Sequence, residues 1–332
     1  MAPDIDLTVL RRIHVVGVGG AGMSAIAEVL ATMGHEVTGS DLKDSTGLER
    51  LRALGVTVRV GHDAANVRDA DLVTRSTAIA DNNVECRAAQ KRGIPLFSRA
   101  QVLGGICLLR DTVAVAGTHG KTTTASMLAL VLREAGLRPS FIIGGDVNEI
   151  GTGAAWDDGQ IFVVEADESD GSFLDLERRV AVVTNLEPDH LEYHGDFEGL
   201  RTAFRRFIEE TDGVTVVGID DEGGRRLAEG SGVVTVGTSV GATWRLESVD
   251  EAWEGVSFDL VGPGGECLPI QVPLPGLHNA RNAAVAAVVG LVVASPPEAV
   301  IDALARFGGV ARRFEHRGAA AGVEFVDDYA HL

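Results

Sequence analysis

Short apolar blocks separated by amphipathic stretches run through the first hundred positions. "IHVVGV" (13–18) predicts a buried strand, and Met23, Ile26, Ala27, Leu30 and Met33 then share one face of a helix that stops at Gly34. "EVTGSD", ending in Asp41, and "VTVRV" predict strands around a short helix, "GLERLRALG"; "DLVTRS" and "IPLFS" continue the alternation. Such βαβ repetition implies a parallel sheet covered by helices.

The pattern restarts at "DTVAVAGTHGKTTTASMLALVLREAGLRP", a strand, a glycine loop and a helix in succession. Met127, Leu128, Val131, Leu132 and Ala135 face one way, Gly136 caps the helix and Pro139 follows. A domain boundary is therefore expected near residues 108–111. "IFVVEADESD", "VAVVTNLEPDH" and "GVTVVGID" predict further strands, and "FEGLRTAFRRFIEE" a helix before the last of them. Residues 243–275 change to alternating "VSFDLV" and "LPIQVPL", expected as a small antiparallel addition, before two more helices, "NARNAAVAAVVGLVVA" and "PEAVIDALARFG". The expected architecture is α/β: a Rossmann-like parallel-sheet domain over 1–109, then a P-loop-type ATPase domain over 110–311.

A chain of 332 residues with 45% hydrophobic positions can build two such cores. Its formal charge of −19 disfavours nucleic acid as a partner, which needs a basic face. Backbone N–H groups at a helix start can still bind phosphate. Cys86, Cys107 and Cys267 are far apart and suggest neither a disulfide framework nor a zinc site. The longest apolar run, 283–294, is too short to span a bilayer, and no signal peptide is visible at the start. A soluble, cytoplasmic protein without a membrane partner is expected.

Two glycine loops carry the candidate chemistry. Gly17, Gly19 and Gly22 fit G-x-G-x-x-G, which with Asp41 downstream also suits an NAD-dependent oxidoreductase. "GTHGKTTT" (117–124) departs from a strict Walker A motif because Val115 stands where its first glycine belongs. The remaining loop, Gly117, Thr118, His119, Gly120, Lys121, Thr122 and Thr123, keeps the same physics. Its N–H groups and helix dipole hold phosphates, Lys121 neutralises the terminal ones and Thr122 can ligate Mg²⁺. Of Glu165, Asp167, Glu168 and Asp170 past a buried strand, Glu165 is the expected Mg²⁺ ligand, and others are solvated loop acids. Asn185, His190 and His194 follow another strand. His278, Asn279 and Asn282 stand at a strand-to-helix junction, as caps or as partners of a nucleobase. Arg312 and Arg313 suit phosphate recognition, or a solvated hinge.

In this order, "GVGGAGMSAIAEVL", "GTHGKTTT", "EADESDGSFL", "NLEPDHLEYHGDF", "HNARNAAVAA", "ARRF" and "DDYAH" resemble the Mur ligase family, the amide-forming ligases of peptidoglycan synthesis. The alanine-adding branch is the nearest likeness. The resemblance implies an ATP-dependent ligase that joins L-alanine to the carboxylate of UDP-N-acetylmuramate through an acyl phosphate. ATP would lie on the 117–124 loop, with His278 and Asn279 near adenine and Arg312 or Arg313 approaching the nucleotide. One Mg²⁺ would use Thr122 and Glu165 and a second His190, so that Lys121, Glu165 and His190 carry catalysis. In place of NAD, the first domain would hold the UDP moiety. Gly19, Gly20, Ala21, Gly22 and Met23 would meet the diphosphate, and Ser40, Asp41, His62, Ser76 and Thr77 would line the rest.

Two departures from the family stand out. Some members use a carbamylated lysine for the second Mg²⁺, and this chain has no lysine after Lys121. Members also have a third, amino-acid-binding domain beginning around "VDDYAH", so residues 312–332 read as a linker and its truncated start. A murein-tripeptide-recycling ligase of the same family is the nearest rival, although it carries a tyrosine and a basic-aromatic segment after "EADE". An oxidoreductase leaves "GTHGKTTT" unexplained, and a non-catalytic UDP-sugar-binding module is a further reading. The expected behaviour of the 332-residue chain is nucleotide binding without ligation. A coupled ADP assay should show no alanine-dependent turnover, and robust turnover would overturn that expectation.

Overall fold

The computed structural model describes residues 5–311, 315–320 and 323–327. The chain forms two compact units, one of residues up to Arg110 with Ala154–Asp157, the other of Asp111–Gly153 and the chain from Asp158.

In unit 1, strands β1 (Arg12–Val16), β2 (Glu36–Asp41), β3 (Thr57–Val60), β4 (Leu72–Arg75) and β5 (Leu96–Ser98) form a parallel sheet in the order β3-β2-β1-β4-β5. Helices α1 (Ala21–Thr32), α2 (Thr46–Ala53), α3 (Val84–Lys91) and α4 (Arg99–Cys107) lie between and after the strands. The central strand reads as a continuous apolar run because it is buried on both faces: Ile13, Val15 and Val16 are fully covered. Met23, Ile26, Ala27 and Leu30 of α1 are buried as the spacing predicts, joined by Val29. Met33 is not part of that face; it is the half-buried C-cap, before Gly34 turns the chain at φ +98°. A capping box starts α4, with Ser98 Oγ accepting from Gln101 N (3.2 Å) and Gln101 Oε1 from Ser98 N (2.8 Å).

Unit 2 contains β6 (Asp111–Ala116), α5 (Lys121–Glu134), β7 (Ser140–Val147), the first half of β8 (Thr152–Ala155), whose last two residues belong to unit 1, β9 (Ile161–Glu165) and β10 (Val180–Val183). There follow α6 (Leu191–His194), α7 (Phe197–Glu209), β11 (Val214–Gly218), α8 (Glu222–Ala228), β12 (Val234–Gly237), β13 (Trp244–Ala252), β14 (Gly255–Val261) and β15 (Cys267–Val272). Helices α9 (Leu277–Val292) and α10 (Pro297–Ala305) precede the hairpin β16 (Glu315–Ala320) and β17 (Val323–Asp327). The large sheet runs β15-β14-β13-β12-β11-β10-β6-β9-β7-β8.

The antiparallel segment is no separate appendage. β13 pairs parallel with β12 and antiparallel with β14, so one sheet continues into the β14–β15 hairpin. Val256, Phe258 and Leu260 alternate inward on β14 because one face of that extension is covered. Helix α5 is buried on nearly every side from Thr122 to Leu132 and packs on α9 and α10, which makes it the centre of the unit 2 core. Among the described residues no helix is long and apolar enough to cross a membrane. Truncating a fully buried side chain of α5 should be costly: Leu128→Ala is expected to lose about 2–5 kcal/mol, read as an earlier unit 2 transition in denaturant titration.

Candidate functional site

The parallel strands of unit 2 end at one edge, where the connection from β6 to α5 occupies only Gly117–Gly120. Gly117 (φ +130°) and Gly120 (φ +79°) make the turn in conformations that L side chains avoid. Side chains there would also collide, with Thr184 at the first position and Asn282 at the second. The end of β10 braces the loop. Thr184 Oγ1 (2.6 Å) and Asn185 Nδ2 (2.8 Å) donate to His119 O, and His119 N donates to Asn185 Oδ1 (2.9 Å). Thr118 Oγ1 accepts from Glu187 N (2.9 Å) and donates to Glu187 O (3.1 Å).

Lys121 opens α5 and folds back over the loop. Its Nζ donates to Gly117 O (2.7 Å), Thr118 O (3.3 Å) and Glu168 Oε1 (2.9 Å). Glu168 is 1% exposed, and its Oε2 has no hydrogen-bond partner. Burial lifts its carboxyl above the ordinary range, outweighing the opposing Lys121 charge. Thr122 Oγ1 lies 2.9 and 3.0 Å from the two oxygens of Glu165, and Gly144 N donates to Glu165 Oε2 (2.8 Å). Thr122 and Glu165 are thus brought together, two hard oxygen donors of the kind Mg²⁺ takes alongside phosphate oxygens.

His190 stands apart from that pair in its bonding. It caps α6 at φ +50°, with Nε2 3.8 Å from Asp189 Oδ2. Burial would raise Asp167, but Ser169 hydrogen bonds and the Lys121 and His190 charges hold it below its ordinary value. Among the described residues no three His, Cys, Asp or Glu side chains form a metal-holding group.

Beside the loop lies a cavity of about 440 Å³, which brings His119, Gly120 and Thr123 together with His278, Asn279 and Asn282. Asn279 donates to Pro275 O (2.8 Å), so it closes the turn before α9 while also lining the cavity. Arg281 reaches Asp220 Oδ2 at 2.6 Å on another wall. Arg312 and Arg313 lie outside the described residues.

In unit 1, Gly19 and Gly20 are exposed, Ala21 opens α1, and Gly19 N donates to Asp41 Oδ2 (2.9 Å). The Met23 side chain turns into the core, so only its backbone belongs to the loop. Ser40 is likewise buried rather than lining a surface, its Oγ donating to Glu85 Oε2 (2.6 Å). His62 Nδ1 lies 2.9 Å from the same oxygen, and Asn66 Nδ2 (2.6 Å) and Asp63 N (3.3 Å) donate to Glu85 Oε1. Burial of Glu85 raises its pKa, yet hydrogen bonds from His14, Ser40 and Asn66 prevail and lower it to about 2. Ser76 accepts from Ala78 N (3.2 Å), and Thr77 is exposed in the same turn after β4.

Sequence reasoning missed Glu85, the pairing of Glu168 with Lys121, and Arg99, whose guanidinium lies against Gly22. Glu168 had a signal, a second acid after the strand. Glu85 and Arg99 sit in short helices with no motif around them.

A phosphate-binding turn at the strand ends of a parallel sheet, with a cation and two Mg²⁺-type donors, defines a nucleotide-binding α/β protein. Residues 12–110 match the "Mur ligase family, catalytic domain" and 115–290 the "Mur ligase middle domain". A UDP-N-acetylmuramate–L-alanine ligase of Thermobifida fusca is 46% identical over 98% of this chain and 70% of its own length; its counterpart in Renibacterium salmoninarum is 46% identical over 98% and 71%. The solved UDP-N-acetylmuramate–alanine ligase of Thermotoga maritima superposes with a TM-score of 0.85 at 31% identity, covering 97% of this chain and 75% of that one. A UDP-N-acetylmuramate:L-alanyl-γ-D-glutamyl-meso-diaminopimelate ligase from Neisseria meningitidis gives 0.80 at 30%, covering 92% and 100%. The chain belongs to the Mur ligase family, ATP-dependent ligases of peptidoglycan synthesis.

The depressed pKa of Glu85 sets a stability window. Its contribution is fully present above the ordinary value of 4.5 and is lost as pH falls towards about 2. Unfolding free energies measured across that window should fall by on the order of 3 kcal/mol, and Glu85→Gln should remove most of that slope.

Proposed function

We propose that unit 1 binds UDP-N-acetylmuramate, that unit 2 binds ATP with Mg²⁺, and that the chain serves the joining of L-alanine to the muramate carboxylate. Both nucleotides are cytoplasmic metabolites, which puts the work in the cytoplasm. The observation that carries the reading is the 117–122 turn, with Lys121 on the loop carbonyls and Thr122 against Glu165. The naming of the substrates follows the alanine-adding relatives.

ATP supplies the phosphoryl group that activates the carboxylate as an acyl phosphate, from which the amine of L-alanine displaces phosphate. The chain's part is positioning and charge neutralisation. The N–H groups of the first turn of α5, Lys121 to Thr123, take the phosphates, and Lys121 Nζ offsets their charge. Thr122 and Glu165 would hold Mg²⁺, and His190 would serve a second ion. His278 and Asn279 orient the adenine in the adjoining cavity, and Arg312 or Arg313 approaches the nucleotide. The Gly19–Met23 backbone holds the UDP diphosphate, with Asp41, His62, Ser76 and Thr77 around the rest of that substrate.

A second reading, the murein-peptide ligase of the same family, draws on the Neisseria structure, all of which this chain covers. "SDGSFL" after "EADE" favours the alanine-adding branch.

Calorimetry on the purified chain tests the proposal with UDP-N-acetylmuramate, ATP–Mg²⁺ and NADH. The first two should bind. Lys121→Ala should weaken ATP at least about tenfold, the loss of one charge-assisted contact set, and leave the UDP-sugar unchanged. Tight NADH binding without UDP-sugar binding overturns the reading.

A further inference from the structure

Glu85 is wholly buried on α3, where no ligand reaches it, yet it gathers groups from three separate segments of unit 1. His14 on β1, with Nε2 3.7 Å from Oε1, Ser40 at the end of β2, and His62, Asp63 and Asn66 in the turn past β3 surround its two oxygens. His14 is wholly buried, so of the two histidines only His62 can meet a ligand. His62 keeps part of its ring accessible, and its hydrogen bonds, to Glu85 and to Ser40 Oγ at 3.0 Å, are all made at Nδ1.

The position of His62 matters because of the sheet order. In parallel sheets of this kind the phosphates lie at the loop after the first strand and the ribose at the end of its neighbour. Continuing from β1 across β2 leads to β3, the next strand in the sheet. Gly61 N donates to Asp41 O (2.7 Å), which draws the turn bearing His62 to the end of β2. His62 therefore stands where the base of a bound nucleotide falls.

The hydrogen-bond chemistry then fixes which ring nitrogen faces that base. An ionised carboxylate has no proton to give, and Ser40 Oγ already donates to the oxygen that His62 approaches. The shared proton belongs to Nδ1, and in the neutral ring Nε2 is left as an acceptor. Uracil offers an imide N3–H donor, whereas cytosine offers an acceptor at N3.

We propose that Glu85 is a positioning residue that holds His62 with Nε2 as an acceptor, so that the base subsite selects uracil over cytosine. The inference rests on the reading that unit 1 takes a UDP-linked substrate.

Two measurements on the whole chain test it. Long-range ¹H–¹⁵N spectra of the histidine rings, with His62 assigned by its loss in His62→Asn, should show the Nδ1–H tautomer at about pH 8, above the usual imidazole range. Titration with UDP and with CDP should give UDP about tenfold or more tighter, as one satisfied against one clashing hydrogen bond implies. The amide in Glu85→Gln can either donate or accept and so permits both tautomers. It should shrink the UDP/CDP ratio several-fold while ATP binding is kept. A merely structural role would weaken UDP and CDP together and leave the ratio intact, which overturns the proposal. So does an Nε2–H tautomer of His62 in the wild type, which is read without the Glu85 variant. Tight UDP binding with no preference over CDP overturns the role of Glu85 and leaves the UDP reading standing. Absence of UDP binding overturns that reading and this inference with it.

Discussion

Between Ala116 and Lys121 the backbone leaves a buried parallel strand and enters a buried helix across four residues. That joint is possible only where no Cβ intervenes, because Thr184 and Asn282 fill the space beside Gly117 and Gly120. The loop is consequently shaped by two elements remote in sequence, the end of β10 and the first turns of α9. The direction of α5 and the place of Lys121 both follow from this one turn. The cavity lies between the same supports, which is why loop residues and α9 residues line it together.

Two buried glutamates show how donors decide the state of a carboxyl. Glu85 is surrounded by hydroxyl, amide, imidazole and backbone donors and is held strongly acidic. Glu168 is just as buried but has one cation on one oxygen and nothing on the other, and its pKa moves upward. Burial alone pushes both the same way; the count of hydrogen bonds sets the sign. The first arrangement suits a permanent anchor. The second suits a group whose partner is meant to be exchanged.

Much of the fold was readable in the chain itself, since parallel strands buried on both faces give unmistakable apolar blocks and glycine loops mark where they turn. The joining of β12 to β13 was not, because whether an alternating strand extends an existing sheet or stands alone depends on pairing, not on periodicity. At the site, adjacency along the chain made Lys121 and Thr122 evident, and the end of an apolar run pointed to Glu165. The family resemblance implied Ser40 and Met23 as ligand contacts, but β2 and α1 turn their side chains inward. Glu85 was invisible because its partners lie 19 to 71 residues away and meet only through the crossover of α3.

Lys121 is the sole lysine of unit 2, and every other basic side chain after it is an arginine or a histidine. A lysine nitrogen held by two carbonyls and a buried carboxylate is shielded from acylating reagents, whereas a released one can reach them. The molecule therefore carries its own chemical reporter: amine labelling in this unit addresses a single atom, and its rate registers whether the Glu168 contact is closed or broken.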